Sequence, residues 1–493
     1  LMKAVSAGAR LQGFFADSLT LAKQISKPEH RANPFVNILN ITTKSVQQYP
    51  DLLGEKTALW RVSNSLAGAG ITLWRALCYI FNKLPLHIPM LNPDILLISH
   101  LTNPDHLCQE TDFYFGNLAA DLNDAGIVTH TLLINHCRAG KSQAKSMRRK
   151  KTTILPAFRS PIHEIFDILR MIKAAIILPA GDASIINNRF HRLAKVAQFG
   201  SRALGDFRIG QMVSEVIVTV QPRIIIHTFE GHGWERIVAA TAHALPIPAH
   251  VIGYQHAVLF PGDKSLYHDH GGGTIPDHIF ATGDVTHDIL AQNVTFFQDQ
   301  ISTVGSIKHK SPSSDTDFCA NGTCLFAPEG ALEEVRVMSK LAIDAARLYP
   351  TQKFVLRLHP VINPSDVDAM MTTWSPTPSN FTLSTASLDD DLDAASWICY
   401  RGSTVAFQGI LAGLRPIYLD PDNSAADNDP VPENIKFQKC ARGPKDLINI
   451  LQKDQNAPEE GRKELPAALE FASGYFSPFR PDIALAHIKN YLS

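Results

Sequence analysis

The sequence predicts an α/β protein: two doubly wound domains facing one cleft, behind an N-terminal helical extension. Three observations predict it. Short runs rich in β-branched, aliphatic and aromatic residues recur at 95–101, 127–134, 224–227, 249–252, 276–280, 301–304, 323–327, 354–358, 396–400 and 416–419, and read as buried strands. Helical patterns alternate with them at 117–125, 234–244, 332–349 and 405–412. Strands alternating with helices build parallel sheets. A polar stretch at 308–320, with Pro312 and several serines and aspartates, divides the runs into two sets and is the best linker in the chain.

Length and composition bound the reading. The 493 residues allow two to four domains at about 100–200 residues each. The expected division is 1–90 helical, 91–310 the first α/β domain, 311–475 the second, and 476–493 a terminal helix. Apolar content of 45% and charged content of 19% describe an ordinary globular core. A net charge of −1 gives no electrostatic footprint for nucleic acid. Seven cysteines are scattered without a CxxC pair, which suits reduced thiols in the cytoplasm. No basic-apolar-small leader pattern opens the sequence. Residues 66–81 are apolar but short for a membrane span and contain Arg75. They read as a helix packed on the domain body, or as an interfacial helix with Trp74 and Tyr79 at the lipid boundary.

In chain order, the run at 95–101 ends near His100 and Asn103, helix 117–125 follows, and 127–134 completes a βαβ unit. Residues 141–151 carry Lys141, Lys145, Arg148, Arg149, Lys150 and Lys151 with no interleaved aromatics, unlike a base-stacking surface. They read as a solvated loop, or as a patch for anionic lipid head groups or an anionic glycan. Strand 224–227 runs into Glu230, Gly231 and His232 before a helix. Glu230 there is a candidate general base, or a helix cap or partner of Arg223 or Arg236. Strand 249–252 ends in a turn with Gln255 and His256. His268 and His270 flank one acid, too few groups for a metal site.

The second set carries the sharper motifs. Strand 323–327 leads to Glu329-Gly330. Strand 354–358 contains Arg357 and ends in His359-Pro360. Strand 396–400 ends in Arg401-Gly402-Ser403-Thr404, and helix 405–412 follows. Free N–H groups at a helix start favour phosphate, although Ser or Thr there is also the ordinary cap. Asp389, Asp390 and Asp391 read as a solvated helix start, or as groups for ribose hydroxyls. Ligands of open α/β sheets bind at the carboxyl ends of the strands, where both motifs fall.

The pair His359-Pro360 and Ser403-Thr404 resembles the His-Pro and paired-hydroxyl motifs of bacterial sialyltransferase-like enzymes and the related Kdo transferases, over fragments of 220–420. That resemblance implies a GT-B-like fold of two Rossmann-type domains, with the terminal helix at 476–493 crossing back to the first. It implies a CMP-activated acidic sugar, Kdo or a nonulosonic acid, as donor, and a glycan, glycolipid or glycoprotein acceptor, without a metal cofactor. Glu230 becomes the base, with His256 as the competing catalytic group. Phe229 stands where those enzymes often carry a second acid. Arg357, His359, Pro360, Arg401, Gly402, Ser403, Thr404, Glu329 and Gly330 become donor-binding residues. His100, Asn103, His232 and Gln255 become acceptor-binding. The work would be surface-polysaccharide or glycoprotein assembly at the inner membrane face. Two other readings stand: a CDP-glycerol-type phosphotransferase relying on His256 and His359, and a non-catalytic scaffold of the same fold.

Overall fold

The computed structural model describes residues 92–177 without 146 and 150, then 201–260, 266 and most of 273–493, with isolated positions between 70 and 79. Within 273–493 the gaps are 294–299, 310, 313–315, 331, scattered positions in 360–375, and 422–428. The expected N-terminal helical region, Lys150, the His268–His270 loop and Pro360 lie outside the described residues.

The first sheet holds seven strands: β1 (Ile95–Leu101), β2 (Thr129–Asn135), β3 (Thr152–Ile154), β4 (Ile224–Thr228), β5 (His250–Gln255), β6 (His278–Ala281) and β7 (Ile301–Thr303). Their order is β3-β2-β1-β4-β5-β6-β7, and every pairing is parallel. Helix α1 (Leu118–Asp124) makes the first crossover. Beyond it lie α2 (Lys141–Ala144), α3 (Pro161–Ile177), α4 (Ser201–Val220), α5 (Gly233–His243) and α6 (Asp284–Asn293). The central strands are buried on both faces, which explains their unbroken apolar runs. One face packs Leu96, Ile98 and Ile225 on Val213 and Ile217 of α4 and Trp234 and Val238 of α5.

The second sheet has six strands in the order β10-β9-β8-β11-β12-β13, again all parallel. They are β8 (Thr323–Phe326), β9 (Phe354–Leu356), β10 (Phe381–Leu383), β11 (Ala395–Tyr400), β12 (Arg415–Leu419) and β13 (Lys439–Ala441). Its helices are α7 (Leu332–Leu348), α8 (Leu388–Asp393), α9 (Val405–Leu411), α10 (Pro444–Asn456) and α11 (Pro458–Tyr475). A buried network ties β11 and β12 to α10 and α11: Arg415 pairs with Asp454 at 2.7 Å and Glu464 at 2.8 Å, and the Trp397 indole donates to Asp454 at 2.8 Å. Removing one partner of such a pair costs about 3–5 kcal/mol.

The terminal helix α12 (Pro481–Leu492) returns to the first sheet, where Ala484 and Ile488 join the cluster of Ile95, Leu97 and Ile226. Val258 and Phe260, just after β5, pack instead into the second core. The Tyr475 hydroxyl receives the Leu259 N–H at 2.7 Å. The two halves therefore share side chains along the cleft.

Two expectations are corrected. Residues 141–151 are not a plain solvated loop. They contain α2 and lead into β3, and Arg149 is ion-paired to the buried Asp112 at 2.5 Å. The acids at 389–391 are not all solvated. Asp391 is buried, accepts from Arg357 at 2.7 Å and from the Ser384 hydroxyl, and ties the start of α8 to the end of β9.

Candidate active site

In an open parallel sheet, a crevice forms where chain order reverses, because successive crossovers leave on opposite faces. In the first sheet that point lies between β1 and β4. His100 is near the end of β1, His136 follows β2, Glu230 and His232 follow β4, and His256 follows β5. These residues line one cavity of about 630 Å³, together with Thr102, Tyr114, Cys137, Asp206, Ile209 and Trp234. That is within the common range for a small-molecule site.

Glu230 is the centre. Its Oε1 lies 2.8 Å from His256 Nε2 and its Oε2 lies 3.2 Å from His232 Nε2. Burial alone would raise this carboxyl, but the two imidazoles outweigh it and hold Glu230 well below the usual carboxylate range. His232 feels the reverse: burial disfavours its charge, yet Glu230 and Glu235 raise it to about 9. His256 is lowered by burial, and both of its buried ring nitrogens lack a well-directed hydrogen bond among the described residues, Nε2 meeting Glu230 as a close contact. At neutral pH the arrangement is a carboxylate between a charged imidazole and a neutral one.

The loop carrying this carboxylate is tied from behind. Glu235, 1% exposed in the first turn of α5, accepts the N–H of Glu230 at 3.0 Å and of His232 at 2.9 Å. Burial pushes its carboxyl up to about 8. The expected cap is thus supplied by Glu235, and Glu230 is left facing the cavity. His100 forms a second pair, with Nδ1 2.8 Å from His136 Nε2 and Nε2 2.7 Å from the Thr228 hydroxyl. Burial and His136 keep His100 well below its ordinary value. Tyr114 packs its ring 4.8 Å from that of His256, and burial beside Glu230 raises its phenol to about 12.

Two expected residues stand beside the cavity without lining it. The Asn103 side chain accepts the Asp105 N–H at 3.0 Å and caps a short turn. Gln255 is buried and its amide donates to the Ala257 carbonyl.

The second sheet reverses between β8 and β11, and there Glu329-Gly330 meets Arg401–Thr404. Gly402 has φ +72°, and a side chain there would lie 2.7 Å from Glu329 Oε1 and 3.4 Å from the Phe260 ring. Only glycine suits that conformation and that contact. Arg401 is 8% exposed and carries no ion pair among the described residues. Thr404 begins α9 without a side-chain cap bond, and Ser403 receives only a long 3.4 Å contact from the Val405 N–H. The hydroxyls are thus not consumed as caps. Arg357 is engaged elsewhere, on Asp391 and the Ala386 carbonyl. His359 follows β9 at the same edge.

His256 and Phe260 are four residues apart, so at most about 14 Å of chain separates the cavity residue His256 from Phe260, whose ring lies beside Gly402. Phe260 thus links the surroundings of the two switch points. Sequence reasoning missed Tyr114, His136, Asp206 and Trp234. His136 stands one residue past β2, so the strand-end rule that found His100 would have reached it. Asp206 and Ile209 lie on α4, which shows no clear polar face in the sequence.

Among the described residues no helix is long and apolar enough to cross a membrane, and no cluster of three or more His, Cys, Asp or Glu could hold a metal ion.

Two parallel α/β halves with a cleft at their switch points define the GT-B fold, the architecture of many glycosyltransferases. No family model matches the chain, and no curated protein matches it in sequence. Solved structures do. MnaA of S. aureus, solved with UDP, aligns at 11% identity and TM-score 0.51 over 81% of this chain and 97% of its own. A Listeria monocytogenes protein described as a UDP-N-acetylglucosamine 2-epimerase aligns at 12% and 0.50 over 81% and 97%. The calicheamicin glycosyltransferase CalG4 aligns at 13% and 0.46 over 82% and 99%. At these identities the likeness is one of fold.

Proposed function

We propose that the chain is a glycosyltransferase that takes a nucleotide sugar in the second half and an acceptor hydroxyl in the first. The observation that carries this reading is Glu230: a carboxylate in a cavity at a switch point, bracketed by two imidazoles, with about 35% of its side chain still exposed. An acceptor hydroxyl bound there gives its proton to Glu230 as the new glycosidic bond forms and the bond from the anomeric carbon to the donor phosphate oxygen breaks, the nucleotide leaving with that bond's electron pair. His256, with Nε2 2.8 Å from Glu230 Oε1, orients that carboxylate toward the hydroxyl. Arg401, Ser403, Thr404 and His359 hold the donor diester, and Glu329 with Gly330 lines the nucleotide end. The Arg-Gly-Ser-Thr and His-Pro turns favour a CMP-activated acidic sugar, Kdo or a nonulosonic acid, as donor. The acceptor is a surface glycan or glycoconjugate. No metal takes part.

Titration with CMP and UDP separates this donor from the nucleotide bound by the S. aureus neighbour. CMP binding that weakens by about tenfold in Ser403→Ala/Thr404→Ala supports the assignment, at roughly 1–3 kcal/mol for charge-assisted hydrogen bonds. UDP binding without CMP binding overturns the donor and leaves the fold reading intact. Glu230→Gln should retain nucleotide affinity and melting temperature while transfer falls by about 10²–10⁴, the usual contribution of a positioned base. Near-normal turnover in Glu230→Gln with loss in His256→Asn would favour phosphotransfer through histidine instead.

A further inference from the structure

Helix α3 is built inside out. Its two acids, Glu164 and Asp167, are turned inward, 1% and 2% exposed. Glu164 pairs with Arg208 of α4 at 2.5 Å and Asp167 with Arg159 at 2.7 Å. Four of the large apolar residues in its first half are turned outward: Ile162 is 65% exposed, Ile165 57%, Phe166 56% and Leu169 52%. Their spacing of three and four residues puts all four on one stripe. A surface helix ordinarily does the opposite, with acids out and apolar residues in.

The stripe continues past the helix start. Trp74 sets its ring 6.0 Å from that of Phe158, and Arg75 donates to the Ala157 carbonyl at 2.8 Å. Trp74 and Leu77 are themselves 43% and 52% exposed. Contiguous exposed apolar surface of this kind marks a contact with something apolar.

We infer that the outward face of α3, with Trp74 and Leu77, is a docking surface for an anionic membrane. The charges beside it select that partner. The Arg138 guanidinium lies over the Trp74 ring at 4.8 Å, and Arg170 on α3 is 60% exposed. No acid of α3 faces outward. An apolar stripe with an indole and a fringe of cations fits the boundary between acyl chains and anionic head groups. A second copy of the chain would set like cations against one another across a two-fold axis. The surface also backs onto the cleft, since Arg208 is flanked on α4 by the cavity residues Asp206 and Ile209. This inference stands whether or not the chain transfers a sugar.

The test is flotation of the full chain with phosphatidylcholine vesicles and with vesicles containing phosphatidylglycerol. The wild type floats with the anionic vesicles at low salt. Phe166→Glu/Leu169→Glu weakens that partition by about tenfold or more without a change in melting temperature, since both side chains already face water. Arg138→Glu/Arg170→Glu removes the preference for anionic lipid. Quenching of tryptophan fluorescence by brominated acyl chains, present in the wild type and reduced in Trp74→Phe, reads the same contact without new charge. A wild type that never floats overturns the inference. So does a wild-type dimer in light scattering that Phe166→Glu/Leu169→Glu dissolves with no lipid binding in either form.

Discussion

Glu230 owes its position to a residue that does not face the cavity. Glu235 accepts two backbone N–H groups of the Glu230–His232 turn and fixes the direction in which both side chains leave it. Glu235→Ala should cost about 10–100-fold in turnover, because a positioning error of about 1 Å can cost 10²-fold. Donor KM should hold, and Glu235→Gln should restore much of the rate, because its amide oxygen still accepts. The same loss has a signature in pH. Glu235 helps raise His232 to about 9, so its removal should lower that value and move the alkaline limb of the rate profile toward neutrality. Unchanged profiles in Glu235→Ala would reduce it to a fold residue. At this scale the sequence was partly legible. Glu230, His232, His256 and His100 stand at or just past strand ends, where position alone marks them. Tyr114 enters from a loop and Asp206 from a helix, and only tertiary packing brings them in.

Elements were legible where they are long or periodic. β1 was readable to the residue from its apolar run, and α7 to within one from its helical alternation of apolar and charged residues. The three-residue strands β3, β10 and β13 were not, since they are too short to show a period, and α4 was not, since its apolar and polar residues are not sorted onto separate faces. The terminal helix α12 was expected from Pro481 as a helix crossing back to the first domain, but the stacking that seats it was not. His487 stacks on His278 with ring centroids 3.7 Å apart, and Tyr491 stacks on His250 at 3.4 Å. Burial lowers His250 to about 4 and His278 to about 3. The folded state therefore takes up fewer protons than the unfolded chain between about pH 6.5 and those values, so stability is full above that window and falls through it on acidification. The melting temperature should drop between about pH 6.5 and 4, and His250→Gln/His278→Gln should flatten the drop. An equally steep fall in the double variant would place the acid sensitivity elsewhere.

At the scale of the whole molecule, the chain passes between the halves twice, and the two passages are bound together. Ser306 N–H donates to Ser477 O at 2.8 Å, and Arg480 N–H to Val304 O at 2.6 Å. Gly305 has φ +80°, and a Cβ there would lie 2.0 Å from the Pro478 carbonyl oxygen. Gly305→Val should therefore destabilise the protein by on the order of 2–4 kcal/mol, read as a lower denaturation midpoint, because it adds left-handed strain to overpacking. A midpoint within error of the wild type would mean the passages separate easily. If they hold, they act mechanically as a door hinge with two adjacent leaves. A body fastened by paired straps swings about the line they define and resists twisting. Opening and shutting the cleft then reduces to one angle, and a single distance between one label on each half would follow the entire motion.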